Sequence, residues 1–151
     1  MLREQLKTAL KDAMLAKDQR AVATVRLINA ALKDRDIAAR EKGNQDGIGD
    51  DDILAMLSTM VKQRQESIRL YEEGGRCELA EQEQEEINII RRFMPTQLEG
   101  ADLKATIDDT IKEIGAADLK DMGRIMSTLK QRYPGRMDFS KASGIVRQQL
   151  I

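Results

Sequence analysis

The sequence predicts an all-α protein: a larger N-terminal helical bundle over residues 1–95, followed by a small three-helix C-terminal domain over 96–151. Three observations predict it. Ala, Leu, Glu, Lys, Gln and Arg dominate the composition, and all favour helix. No stretch alternates Val, Ile or Thr with polar residues as a half-buried strand does. Apolar residues recur instead at spacings of three and four, which places them on one helix face. Of the 151 residues, 41% are hydrophobic, enough for a core, and 34% are charged, as expected of the outer faces of long amphipathic helices.

The first predicted helix covers Leu2 to Ala16, with Leu2, Leu6, Ala9 and Ala13 on one face. Asp18 is a natural N-cap for a second helix over Gln19 to Lys42, whose buried stripe is Ala21, Val25, Ile28 and Leu32. Arg26, Lys33 and Arg40 recur every seven residues on another face, either as a solvated surface or as a stripe that tracks phosphates. Gly43 to Gly49 form a loop, and Asp50, Asp51 and Asp52 open helix three, where carboxylates complement the positive end of the helix dipole. A calcium loop fails here on spacing. With Gly47 at the sixth position, the first and twelfth ligands would be Lys42 and Ile53.

Helix three runs to Glu73 on Leu54, Leu57, Val61 and Ile68, with Met56 and Met60 as adaptable filler. Gly74-Gly75 stops it. Helix four starts at Arg76, holds Leu79, Ile87, Ile90 and Phe93, and ends at Pro95. Its first turns carry Glu78, Glu81, Glu83, Glu85 and Glu86, read as a solvated face or as a dock for a basic surface. Gly74, Gly75 and Arg76 read first as an αα-turn, and alternatively as a phosphate cradle of backbone N–H groups plus a guanidinium.

Residues 96–100 mark the domain boundary. Helix five spans Ala101 to Ile114 on Leu103, Ile107, Ile111 and Ile114, and Gly115 caps it. Helix six runs from Leu119 to Arg132 with Met122, Ile125, Met126 and Leu129 inward. Gly123 inside that helix costs about 1 kcal/mol against Ala, which suggests close approach of another helix or of a ligand backbone. Pro134-Gly135 turns the chain, Asp138 caps helix seven, and Ile145, Val146 and Leu150 close the core.

Composition excludes much chemistry. There is no His, hence no imidazole base, no Ser-His-Asp triad and no His metal ligand. The single Cys77 forms no internal disulfide and no Cys-type zinc site, so neither metal nor cofactor is expected. Ser58, Ser67, Ser127, Ser140 and Ser143 read as helix-surface or capping residues. Neither phosphate-binding glycine motif, G-x-x-x-x-G-K-[ST] or G-x-G-x-x-G, occurs. No apolar run is long enough to span a membrane, and the start Met1-Leu2-Arg3-Glu4 lacks the apolar run of a signal peptide. Together with the lone thiol, this sets the expectation of a cytoplasmic protein. The aromatics are only Tyr71, Phe93, Tyr133 and Phe139, too few for a base-stacking platform.

Charge is polarised along the C-terminal third. Residues 122–151 hold six cations, Arg124, Lys130, Arg132, Arg136, Lys141 and Arg147, against Asp138 alone, a net of +5 in a chain of net −1. Residues 95–121 hold three Lys and seven acids, a net of −4. A polarised terminal module points to a polyanion or an acidic partner surface.

The motifs Arg64-Gln65-Glu66-Ser67-Ile68, Tyr71-Glu72-Glu73-Gly74-Gly75-Arg76 with Leu79-Ala80 and Glu83, Phe93-Met94-Pro95-Thr96-Gln97-Leu98, Met122-Gly123-Arg124-Ile125-Met126, and Gly135-Arg136-Met137-Asp138 with Ile145-Val146 together resemble the YqeY-like (GatB/YqeY domain) family over almost the whole length. Met137 and Phe139 stand where the family pattern Gly-Arg-Ala-Asp-Gly has its Ala and second Gly. The resemblance implies an all-helical protein similar to the C-terminal part of GatB, an amidotransferase subunit whose corresponding region contacts tRNA and whose catalytic machinery lies elsewhere. It therefore implies a non-catalytic accessory protein of aminoacyl-tRNA metabolism or transamidation, with tRNA as partner. On that reading Arg124, Lys130, Arg132, Arg136, Lys141 and Arg147 contact phosphates, while Gly123 and Gly135 allow close backbone approach. Two alternatives stay open: an adaptor that docks on protein partners in tRNA amidation, and the family label of carbon–nitrogen ligase with glutamine as amido-N-donor.

Overall fold

The computed structural model describes residues 2–151, and every regular element among them is helical. Contacts divide the chain into two compact units, Met1–Pro95 and Thr96–Ile151.

The first unit holds α1 (Leu2–Leu15), α2 (Gln19–Glu41), α3 (Asp50–Glu73) and α4 (Cys77–Arg91). α1 packs on α2, α3 packs on α4, and α2 also lies against α4. Asp18 caps α2 as its chemistry dictates, its carboxylate accepting from the Ala21 N–H at 3.1 Å. The stripe Ala21, Val25, Ile28 and Leu32 is buried, so the three-and-four spacing placed this face correctly.

α3 departs from its predicted stripe. Ile53, Met56, Leu57, Met60 and Val61 are buried, while Leu54 and Ile68 pack only partly against that core. The buried stripe keeps Leu57 and Val61 and widens on one side through Ile53 and both methionines. Met56 and Met60 are therefore core residues on the same footing as Leu57. α4 begins at Cys77 and its regular turns end at Arg91, before the predicted Pro95. Residues 92–94 continue as tight turns: the Arg92, Phe93 and Met94 N–H groups donate to Ile89, Ile90 and Arg91 carbonyls three residues back. The residue before a proline, here Met94, is pushed out of helical backbone, so the helix cannot run through to Pro95.

The second unit holds α5 (Gly100–Ile114), α6 (Met122–Arg132) and α7 (Phe139–Leu150), each in contact with the other two. Gly115 ends α5 in the left-handed region, φ +75°, and returns its N–H to the Ile111 carbonyl at 3.0 Å. The helix predicted from Leu119 is two pieces. Leu119–Asp121 is a 3₁₀ turn capped by Asp118, and α6 proper starts at Met122. Ile107, Ile125, Leu129 and Val146 are fully buried at the centre, with Leu103, Met137, Ala142 and Leu150 around them. Met137 adds its side chain to this core, and Asp138 still caps α7, accepting from the Ser140 and Lys141 N–H groups. The Leu98 N–H donates to the Arg136 carbonyl at 2.6 Å, and the Gln97 side-chain amide donates to the Gly135 carbonyl at 2.6 Å. These bonds tie the segment before α5 to the turn between α6 and α7.

Candidate nucleic-acid interface

The six predicted cations of the second unit fall into two groups. Arg132 is spoken for. Its two terminal nitrogens meet both carboxylate oxygens of Glu113, at 2.6 and 2.9 Å. This fork holds the Glu113 carboxyl below its usual range and the Arg132 guanidinium above its own, chiefly by the side-chain hydrogen bond itself. Arg124 reaches Asp121 at 3.4 Å, a long contact one turn back. Arg136 is half-buried. Its Nε donates to the Thr96 carbonyl at 3.1 Å and its guanidinium lies 5.8 Å from the centre of the Tyr133 ring. It holds the α6–α7 turn more than it faces solvent.

Lys130, Lys141 and Arg147 are exposed and take no ion pair among the described residues. They do not form one row. Lys130 lies six residues from Arg124, and Arg147 six from Lys141, so each pair is about 120° apart around its helix. The positive charge wraps the outer faces of α6 and α7 and does not line a single stripe.

The two glycines differ as well. A side chain built at Gly123 would meet nothing within 4 Å, and the residue is exposed, so no second helix comes close there. Gly135 is buried, with φ +72°. It is a glycine because the turn needs left-handed backbone, and it offers no surface to a ligand. A further glycine, Gly144, was not singled out by the sequence reading. It is exposed in mid-α7 with open space around it, and with Gly100, Leu103, Lys141, Ile145 and Gln148 it lines a shallow groove. The available signal was a helix-interior glycine one turn from a lysine.

The turn Gly74-Gly75-Arg76 does not present a phosphate cradle. The N–H groups of Gly74, Gly75 and Arg76 donate to the Leu70, Glu72 and Tyr71 carbonyls at 3.0, 3.1 and 2.8 Å. All three donors close the end of α3, with Gly75 at φ +73°. The acidic start of α4 is solvated in part: Glu78, Glu81 and Glu85 are exposed, while Glu83 and Glu86 are half-buried. Glu85 takes Arg20 of α2 at 3.1 Å, and Glu86 takes Arg64 of α3 at 2.9 Å. Arg64 in turn donates to the Met60 carbonyl at 3.1 Å. Two of the five acids thus tie helices together. Glu83, half-buried nearby, has its carboxyl pushed up by burial and then by the Glu86 charge.

A polar lock in the first unit escaped the sequence reading. Both terminal nitrogens of Arg3 donate to the buried carboxylate of Asp36, and Nη2 also donates to the Ile48 carbonyl at 2.8 Å. The Ile48 N–H donates to Asp36 Oδ1 at 3.0 Å. The signal was present: Asp36 follows Ile28 and Leu32 at the same spacing of four, so it continues the buried stripe and must find partners there. Among the described residues, no group of three His, Cys, Asp or Glu is placed to hold a metal ion, and no helix is long and apolar enough to cross a membrane.

The family model described as "Yqey-like protein" matches residues 3–150. Among curated proteins, "Altered inheritance of mitochondria protein 41, mitochondrial" of Eremothecium gossypii is 39% identical over 89 residues, 59% of this chain and 46% of that protein. Its namesake in Saccharomyces cerevisiae is 30% identical over 109 residues, 72% of this chain and 56% of that one. The Lachancea thermotolerans protein of the same name is 30% identical over 112 residues, 72% and 57%. The chain thus spans about half the length of the curated relatives it matches. These relatives are named as mitochondrial, which overturns the cytoplasmic expectation. A lone thiol argues against a disulfide framework and does not choose a compartment. With the family match running over nearly its whole length, the chain belongs to the YqeY-like family.

Proposed function

We propose that this YqeY-like chain is a non-catalytic accessory protein that binds RNA, with tRNA as the first substrate class, through the outer cations of its C-terminal domain. The observation that carries the reading is the set Lys130, Lys141 and Arg147, exposed and without ion pairs in a segment of net +5. Arg124, held only by a 3.4 Å contact, is a fourth cation able to turn to a phosphate. Arg132 and Arg136 support the surface in place, one through Glu113 and the other through Thr96 and Tyr133.

With so few aromatics the recognition runs through charge and shape, and tRNA is favoured among polyanions by the similarity to the tRNA-contacting part of GatB. The carbon–nitrogen ligase label attached to the family is read as belonging to that larger enzyme. The Ser67 hydroxyl, in one of the family motifs, donates to the Gln63 carbonyl in its own helix.

The test is tRNA retention on filters across a salt series. Four phosphate contacts give a slope of log K against log salt of about −3 to −4. Reversal of Lys130, Lys141 and Arg147 to Glu is expected to abolish retention, while Arg132→Gln leaves affinity within about twofold, because that charge is already answered by Glu113. No retention at low salt, or retention indifferent to the triple reversal, refutes the reading.

A further inference from the structure

Opposite its buried face α2 carries a second, narrower run of exposed apolar residues, interrupted once by Asp34, which the bundle leaves uncovered. The buried face is Ala21, Val25, Ile28 and Leu32. Ala23, Leu27, Ala30, Asp34 and Ile37 follow at spacings of four, three, four and three on the other side. All five are exposed, and the two large ones stand well out, Leu27 at 48% and Ile37 at 44%. This is the seam spacing of a coiled coil, with Leu27 and Asp34 at a and Ala23, Ala30 and Ile37 at d. The small residues at d let a second backbone come close.

Beside the seam run Arg26, Lys33 and Arg40, seven residues apart, at the flanking g positions. All three are exposed and none is within ion-pair distance of a carboxylate among the described residues, though Arg40 lies near enough to Asp36 to help hold its carboxyl down. The heptad of cations thus borders an apolar seam. Phosphates alone would satisfy the cations and leave Leu27 and Ile37 in water, whereas a packed helix covers both.

Charge also selects against a second copy. Antiparallel pairing of two α2 helices sets g against g, cation on cation. Parallel pairing sets g against e, where this helix carries Thr24, buried in the bundle, Ala31, packed against its core, and Ala38, with no carboxylate to meet a cation. We propose that this face of α2 docks an amphipathic helix of a partner protein, with apolar residues in the seam and Asp or Glu along its flanks. The proposal concerns the first unit and stands apart from RNA binding by the second.

The probe is a synthetic three-heptad peptide with Leu at a and d and Glu at e and g, labelled for fluorescence anisotropy against the full chain. Its counterpart carries Lys at e and g. The Glu peptide is expected to bind about tenfold or more tightly than the Lys peptide. Leu27→Ser with Ile37→Ser, both at exposed positions, should abolish binding while circular dichroism stays unchanged. Arg26→Glu, Lys33→Glu and Arg40→Glu together should invert the preference to the Lys peptide. Equal binding of the two peptides, or Glu-peptide binding that survives loss of Leu27 and Ile37, overturns the proposal. So does a dimer in sedimentation equilibrium that dissociates in the Leu27/Ile37 variant. Binding of an RNA oligonucleotide or of anionic vesicles that needs the three cations but not the two apolar residues overturns it equally.

Discussion

Replacing Asp36 by Ala is expected to cost the N-terminal unit about 3 kcal/mol at neutral pH, because it strips a buried ion pair of one partner. The carboxylate side chain is only 8% exposed, and it accepts from both terminal nitrogens of Arg3 and from the Ile48 N–H. Removing it leaves a guanidinium that is 28% exposed, so part of that charge rehydrates and the cost sits at the low end of the range for buried pairs. For a unit of this size the loss lowers Tm by about 12 °C or more. The sign of the pH dependence follows from the shift. The Arg3 hydrogen bond holds the Asp36 carboxyl below its ordinary 3.8, against the opposing effect of burial. A depressed folded-state value means the contribution is complete above the unfolded value and is lost as pH falls through the folded one, at about 1.4 kcal/mol per pH unit. The gap between wild type and Asp36→Ala should therefore be smaller at pH 3 than at pH 7. Urea unfolding followed by circular dichroism at the two pH values measures it. A gap below about 1 kcal/mol at pH 7, or one that does not change at pH 3, refutes the assignment of Asp36 as the charged centre of the lock.

Three further outcomes follow from the packing. Gly47→Ala should cost more than about 2 kcal/mol, since the residue sits at φ +81° and a new Cβ would overlap Asp36 Oδ1 and lie 3.2 Å from Arg3 Nη2. Gly43→Ala, at φ +97° with nothing within 4 Å, should cost only about 1 kcal/mol, and equal losses in denaturant titrations would contradict the role of the lock. Thr24→Val should stabilise by about 1 kcal/mol, because the buried Thr24 hydroxyl has no hydrogen-bond partner; a measured loss would show that it has one. Gly144→Ala in the open middle of α7 should add about 0.5–1 kcal/mol to thermal stability, and a destabilised variant would mean that the helix face is crowded.

The helices were legible wherever the signal is local. Asp18, Gly115 and Asp138 act on backbone groups within a few residues of themselves, and each ends or begins a helix where its chemistry says it should. The list of C-terminal cations was equally legible. Which of them are available was not. Arg132 looks like Lys130 in the sequence, yet Glu113, nineteen residues earlier, takes it up. Gly74, Gly75 and Arg76 have the composition of a phosphate turn, and only the carbonyls of α3 decide that their N–H groups are used. Leu54 and Met56 exchanged importance because the rotation of α3 is set by what it packs against.

By itself, then, the sequence determined an all-helical chain, most of its helix ends, the faces of α2, the excess of positive charge near the C-terminus and the family to which these motifs belong. Tertiary structure decided the pairing: Arg3 with Asp36 across thirty-three positions, Arg64 with Glu86 across twenty-two, Arg132 with Glu113 across nineteen. The physical reason is one of range. Caps and periodicity act within a turn or two of the chain, whereas an ion pair between helices depends on how both are rotated and how far they slide, which only the packed core fixes.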